Sequence, residues 1–236
     1  MIEAGALTEW NAIADVVRER FKAGWLYRGV RDAVRHTLRP SIGRDDARKD
    51  SRTGDNLPYE EHEERRQLRV FMREGRGRYD WQPATILGWM ILGQHHRLPT
   101  RLLDWSESFL VAAYFATEDP IKKRDAAIYG TPPPRELEDL GTDPFIGAYG
   151  DPVMLVRPPH ISPRITAQLG VLTLHRNPAI DWNANNIHRW VVPWEFTFTL
   201  KGLVAFCGVH AASLFPDSAD RHTEYISWRR KWGRLF

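Results

Sequence analysis

The chain has a single cysteine, Cys207, in 236 residues. That excludes an internal disulfide framework and any thiolate-rich zinc site. Its neighbours are apolar ("LVAFCGV"), so Cys207 reads as a core residue rather than a nucleophile. An excess of charge of one sign is also lacking. Lys and Arg number 33 against 30 Asp and Glu, a net charge of +3. This is no polycation, and contact with nucleic acid would need a local patch. The longest apolar run, Phe109–Ala116, is too short to cross a bilayer. No basic stretch followed by an apolar run opens the chain, so no signal peptide is expected and the cytoplasm is the expected compartment. G-x-S-x-G, Walker A, G-x-G-x-x-G and H-E-x-x-H are absent too. Hydrolase, kinase and Rossmann readings lose their usual support.

What is present is an ordinary globular composition, 42% hydrophobic and 27% charged. Ten tryptophans imply an aromatic core or aromatic pockets. The length suffices for a sizeable core. Leu7, Trp10, Ile13, Val17 and Phe21 have helical spacing, ended by Gly24. "WLYRGV" then reads as a short strand. Residues 40–58, charged and poor in large apolar groups, read as a mobile surface loop. The run from Pro58 to Trp81 reads as a solvated helix with pairs such as Glu61 and Arg65. Residues 83–96 and 105–118 look hydrophobic all round and predict two core helices, with Ala112, Ala113 and Ala116 letting a neighbour approach closely.

In the second half "AAIYGT", "PVMLVRP", "GVLTLHR" and "WVVPWEFTFTL" are strand-like, and "ADRHTEYISWRRKW" closes the chain as a helix. The expected class is α+β. It is a single domain over 1–236, with a mixed, split sheet in the C-terminal half and core helices. A helical segment covers 1–24, a motif core 25–217 and a C-terminal helix 217–233.

The densest polar block, "GQHHRLPTRLLDWSESFLVAAYFA", spans residues 93–116. Asp104 and Glu107 have capping-box spacing, which suits Asp104 as a helix cap as well as a catalytic acid. Arg101 could pair with Asp104. The Thr100 hydroxyl has no obvious local partner. His95 and His96 are adjacent and diverge by about 100° on a helix, so no metal site is expected there. Tyr27–Arg28–Gly29 ends a strand. Its arginine fork can face phosphate or carboxylate while glycine admits backbone, or it can form a buried ion pair. Gln168 and Gly170 open a strand, where the amide faces a cleft or bonds within a turn. Arg28, Arg31, Arg35, Arg39 and Arg44 form an arginine cluster.

Taken together, "WLYRG", "LRPSIGR", the central block, "PRITAQLGVLTLH" and "GVHAASLFPD" resemble the FRG domain family, in that family's order, from about Trp25 to Asp217. Leu169 and the insert "NNIHRWVVPWEFTFTL" depart from its pattern. The order of parts is also similar to ADP-ribosyltransferases, which use a first-strand arginine or histidine, then a hydroxyl-bearing strand leading to a helix, then a Glu- or Gln-containing strand. This resemblance implies an ADP-ribosyltransferase-like fold and NAD as substrate. It implies Arg28, Thr100, Asp104 and Gln168 as catalytic residues. Tyr27, Arg28, Gly29, His96, Thr100, Arg101 and Tyr114 would hold NAD. The glutamate usual in the third part is Gln168 here, so Asp104, Glu107 or Glu195 would have to supply the carboxylate. The expected product is a modified macromolecule, preferentially nucleic acid (DNA, or else RNA), in a toxin or phage-defence setting, with an antitoxin or partner protein and no membrane contact. Two other readings stay open. One is an NAD glycohydrolase or a nuclease using His95, His96 and Asp104 as acid and base. The other is a non-enzymatic module that binds a nucleotide or a protein.

Overall fold

The computed structural model describes residues 1–20, 24–79, 82–121, 123–146, 150–159 and 162–232. The elements alternate rather than segregate. Strand β1 (Ile2–Ala6) and helix α1 (Trp10–Arg20) lead into β2 (Leu26–Val30), α2 (Glu61–Gly75), α3 (Ile86–His95), β3 (Leu102–Ser106) and α4 (Phe109–Thr117). Then come β4 (Ala126–Thr131), β5 (Val153–Val156), α5 (Pro163–Ala167), β6 (Gly170–His175) and β7 (His188–Val192). Helices α6 (Trp194–Phe206), α7 (Ala211–Leu214) and α8 (Ala219–Trp232) complete the described chain.

The strands form one seven-stranded sheet in the order β1-β7-β4-β2-β3-β6-β5. Only β1 and β7 run parallel; the other neighbours are antiparallel. The α+β class and the mixed sheet are as expected. The sheet is not confined to the C-terminal half, because β1, β2 and β3 come from the first half and β1 precedes the expected N-terminal helix. The join between β2 and β3 is unusual. These strands share one paired position, Tyr27 with Ser106, whereas β2 pairs with β4 through five positions and β3 with β6 through five. The sheet is therefore two well-laddered halves pinned at a single point.

The side-chain period of two sorts the residues of β2. Tyr27 packs with α4, α6 and Trp190, while Leu26 and Val30 face a second cluster with Leu38, Trp105 and Tyr129. Helices α2 and α3 cover β3, β6 and β5 through Leu68, Leu87, Met90, Leu102 and Leu174. Gly29 is fixed by α4. A Cβ there would lie 1.8 Å from the carbonyl oxygen of Ala112 and 2.6 Å from the nitrogen of Ala116. The small residues of α4 and the glycine of the tripeptide thus form one close contact between helix and strand.

Several expectations need correcting. The helix expected over 105–118 is a strand followed by a helix; Ser108, not Asp104, caps α4, accepting from the backbone N–H of Val111 at 3.4 Å. "WEFTFTL" alternates like a strand yet forms α6. Its first N–H is capped from far away by the Asp125 carboxylate at 3.0 Å, and it buries Thr197, Leu200 and Val204 at helical spacing. Cys207 lies exposed at the end of that helix. Residues 40–58 are docked, not loose. Ile42 N–H donates to the Thr100 carbonyl, and a Cβ on Gly43 would lie 1.8 Å from the Pro178 carbonyl oxygen. Phe21, placed on the first helix by its spacing, lies outside the described residues, as does part of the junction before Trp25. No helix among the described residues is long and apolar enough to cross a membrane.

Candidate functional site

A cleft of about 460 Å³ opens where β2 and β3 part. Strand β2 supplies Tyr27, Arg28 and Gly29, and β3 supplies Asp104, Trp105 and Ser106. The end of α3 contributes Gln94, His95 and Arg97; α4 and its exit contribute Ala112, Phe115 and Glu118. The chain after β2 brings His36, the docked segment brings Arg44, and the C-terminal half brings Arg164, Gln168 and Phe215. Residues distant in sequence converge here because the sheet is interrupted here.

Arg28 lies in the gap. Its Nη1 donates to the Asp104 carbonyl at 2.6 Å and lies 3.9 Å from the Asp104 carboxylate. Its Nε is buried and has no hydrogen-bond partner. Burial pulls its pKa down, Asp104 raises it, and the like charge of Arg44 lowers it further. The site thus holds a half-buried cation, its Nε fully buried, that its surroundings neutralise incompletely, a natural seat for an anion.

Asp104 is exposed on β3 and held by a relay. The Thr100 hydroxyl donates to Gln94 Oε1 at 2.6 Å, and Gln94 Nε2 donates to Asp104 Oδ2 at 2.9 Å. Thr100 is itself buried, and its Oγ1 accepts from the Leu102 N–H at 3.1 Å. The hydroxyl therefore has two local partners, contrary to the sequence expectation. Thr100 supports the site without lining it.

The other expected residues divide. Gln168 lines the cleft, but its amide donates to the Leu214 carbonyl at 3.0 Å, and its own carbonyl accepts from Ser106 Oγ at 2.7 Å. Tyr27 edges the cleft while its ring packs edge-on against Phe109 at 5.4 Å. His96 lies off the cleft, stacked on Tyr79 at 4.7 Å; His95 is the histidine that lines it. Burial, then the charge of Arg164, pull the His95 pKa below its usual value. Tyr114 is buried in the core, and its hydroxyl donates to Glu118 at 3.4 Å.

Arg101 is a structural ion-pair residue, not a ligand residue. It is 1% exposed and meets Glu64 at 2.9 Å, with Glu64 2% exposed. It also donates to the Pro144 carbonyl and the Tyr59 hydroxyl, and lies over the Phe145 ring. Glu107 pairs with Arg157 at 2.6 Å and Glu195 is an exposed residue of the first turn of α6, so neither lines the cleft. Among the three carboxylates considered, Asp104 alone does. The arginine cluster also disperses. Arg39 is taken by Asp45 and Asp181 and Arg31 by Asp119, leaving Arg28 and Arg44 as its weakly neutralised cleft members.

Sequence reasoning passed over Gln94, Arg164 and Phe215 as site residues. Gln94 had a signal, as a polar residue in the last turn of an otherwise apolar helix. Arg164 and Phe215 had none, since only the tertiary fold sets the Arg164 guanidinium 5.0 Å from the Phe215 ring at the cleft wall.

Residues 23–125 match the FRG domain family. Over this span the chain is similar to FRG domains. The matched span runs from β2 to the threshold of β4, taking in the tripeptide, the polar block and α4. It thus includes Arg28, Arg44, Gln94, His95 and Asp104, while Arg164, Gln168 and Phe215 lie beyond it. The matched span contributes both strands at the gap, and the rest of the chain closes the cleft. No curated protein and no solved structure matches the chain. The likeness to ADP-ribosyltransferases therefore stands on the order of parts alone.

Proposed function

We propose that the cleft binds NAD and that the protein is an ADP-ribosyltransferase acting on a macromolecule, with nucleic acid the preferred acceptor. One observation carries this reading: a half-buried, incompletely neutralised Arg28 at the sheet's gap, with its buried Nε unpartnered, beside an exposed carboxylate held in place by a relay. Arg28 clamps the dinucleotide's phosphates through its planar fork. Asp104, fixed by Gln94, faces the ribose and stabilises positive charge as the bond from C1′ to the nicotinamide nitrogen breaks. Nicotinamide leaves with the bonding pair. The acceptor then supplies the new pair to C1′ and gives up its proton. Positioning and fixed charge carry most of such a rate enhancement. The missing glutamate of the third part is answered by relocation, with the carboxylate on β3 rather than beside β6. A toxin or phage-defence role, with an antitoxin or partner protein, belongs to the same proposal and rests on the family resemblance.

A non-enzymatic nucleotide-binding module is the second reading, favoured by the tethering of the Gln168 amide to Leu214. The nuclease reading loses its histidine pair, because His96 stacks on Tyr79 outside the cleft. Incubation with NAD and a mixed DNA and RNA acceptor separates the first two readings. Nicotinamide release with a mass increase on the acceptor supports the transferase. Release without acceptor labelling supports a glycohydrolase. Saturable NAD binding with no release over hours leaves the binding module.

A further inference from the structure

We propose that Arg44 and Arg28 together form a two-guanidinium site for the diphosphate bridge of a nucleotide ligand. The inference deepens the reading of the cleft above and rests on it for the identity of the whole ligand. The diphosphate chemistry rests on the cluster itself.

The arginines of the cleft are not equivalent. Arg31 meets Asp119 at 2.9 Å and Arg164 meets Asp217 at 3.2 Å, so each carries its own counter-charge. Arg44 makes one long side-chain contact, Nε to the Arg39 carbonyl at 3.4 Å, and no carboxylate pairs with it among the described residues. Arg28 has a carbonyl contact, a carboxylate 3.9 Å away and an unpartnered Nε. Arg97, the remaining cleft arginine, has no ion pair among the described residues either, but Arg44 is the one close enough for its charge to lower the pKa of Arg28, so these two forks form the pair. The Arg44 charge lowers the pKa of Arg28, and burial and then the Arg44 charge hold His36, also in the lining, below its usual pKa. A neutral imidazole can donate one N–H to an anion without adding repulsion.

A dinucleotide's diphosphate carries one negative charge on each phosphorus, which matches two guanidiniums. A single fork can hold one phosphate side-on, and two forks hold both. Arg44 is also held in place before any ligand arrives. Gly43 lies under the Pro178 carbonyl, Ile42 N–H donates to Thr100, and Thr100 N–H donates to Ser41 Oγ at 3.3 Å. The segment that carries Arg44 is thus tied to the residue that sets the Gln94 relay. Such preorganisation removes an ordering cost on binding.

The test is calorimetric titration of the whole protein with inorganic pyrophosphate and with inorganic phosphate. The wild type, Arg44→Gln, Arg44→Lys, Arg28→Gln and the distant surface variant Arg229→Gln are compared, with melting curves to confirm folding. The wild type is expected to prefer pyrophosphate to phosphate at least fivefold. Arg44→Gln and Arg28→Gln should each weaken pyrophosphate at least tenfold and erase the preference. Arg44→Lys should fall between, and Arg229→Gln should stay within twofold. Wild-type indifference between the two anions overturns the proposal, as does pyrophosphate affinity within twofold of wild type in folded Arg44→Gln. If Arg44→Gln does not fold, a lysine variant with unchanged affinity and preference overturns it instead. Failure of the transferase reading looks different: pyrophosphate binding that depends on Arg44, with no release of nicotinamide from NAD.

Discussion

Two arginines of the chain, Arg28 and Arg101, predict opposite phenotypes. Arg101 and Glu64 are 1% and 2% exposed. Arg101→Ala leaves the Glu64 carboxylate buried with only the Tyr59 hydroxyl and a backbone N–H as donors. Breaking one side of a buried pair costs about 3–5 kcal/mol. That is a large share of the roughly 5–15 kcal/mol that holds a typical domain. For a chain of this length it lowers the melting temperature by about 6–20 °C. Arg28→Ala differs because its nearest carboxylate, Asp104, is 61% exposed and stays solvated when the guanidinium is gone. The lost contact to the Asp104 carbonyl is offset by relief of a half-buried, repelled cation, so the net change is about 0–1 kcal/mol. The melting temperature then moves by about 4 °C at most. Urea unfolding followed by tryptophan fluorescence gives the stabilities, and titration with NAD gives the binding. Arg28→Ala and Arg28→Lys should keep the fold and lose NAD binding at least tenfold, since an ammonium cannot reproduce a planar fork. A loss above about 2 kcal/mol in Arg28→Ala would refute the argument, because it would make Arg28 a structural ion of the same kind as Arg101.

Gly29→Ala should fail to give stable protein, since its methyl would lie 1.8 Å from a backbone oxygen of α4; expression and melting curves check this, and a soluble variant within 1 kcal/mol of wild type, on the order of ordinary surface changes, would disprove the close contact. Gln94→Leu should lower nicotinamide release at least tenfold with NAD affinity within threefold, because it frees the Asp104 carboxylate while leaving Arg28 in place; an equal loss of affinity and turnover would show that Gln94 touches the ligand. Acid should destabilise the protein through His175, which burial and then Arg28 hold at a pKa of about 3. The unfolded imidazole takes up its proton below about pH 6.5 while the folded one stays neutral, so stability is complete above that pH and falls by up to about 1.4 kcal/mol per unit as pH drops toward 3. Urea unfolding between pH 7 and 4.5 reads this slope, and a His175→Gln variant with an undiminished slope would refute it.

The sequence made the parts legible where local pattern and burial agree. Strands β2, β4, β5 and β6, the apolar helices α3 and α4, and the closing helix all announce themselves by composition. It misled where a distant partner decides. The segment at 194–200 alternates like a strand, and only Asp125, far away in sequence, supplies the cap that starts α6. Residues 40–58 look solvated because their anchors, Thr100 and Pro178, lie in other segments. Cys207 looks buried because its neighbours are apolar, yet it falls just past the end of its helix.

The same logic explains why ionisable groups crowd ahead of α4. That stretch is not the cap of a helix but a strand with both faces committed. Leu102 enters the cluster under α3, and Leu103 and Trp105 enter the opposite one. Trp105 Nε1–H donates to Thr173 Oγ1 at 3.0 Å, which in turn meets His175 Nε2 at 2.9 Å. Just before the strand, Thr100 turns to Gln94 and Arg101 to Glu64. Thr100, Arg101 and Trp105 thus serve different neighbours, and of Leu102–Ser106 only Asp104 is exposed. The family resemblance could be read from the sequence because the block's residue types and their order are distinctive. Role could not, because role depends on which face each residue takes, and that is set by pairing with strands far away in sequence, β3 on β6 and β2 on β4. A one-residue slip of the first ladder would turn Asp104 into the core, and a slip of the second would carry Arg28 out of the gap. The single pairing of Tyr27 with Ser106 leaves room between these two ladders, and the candidate site depends on both keeping their registers.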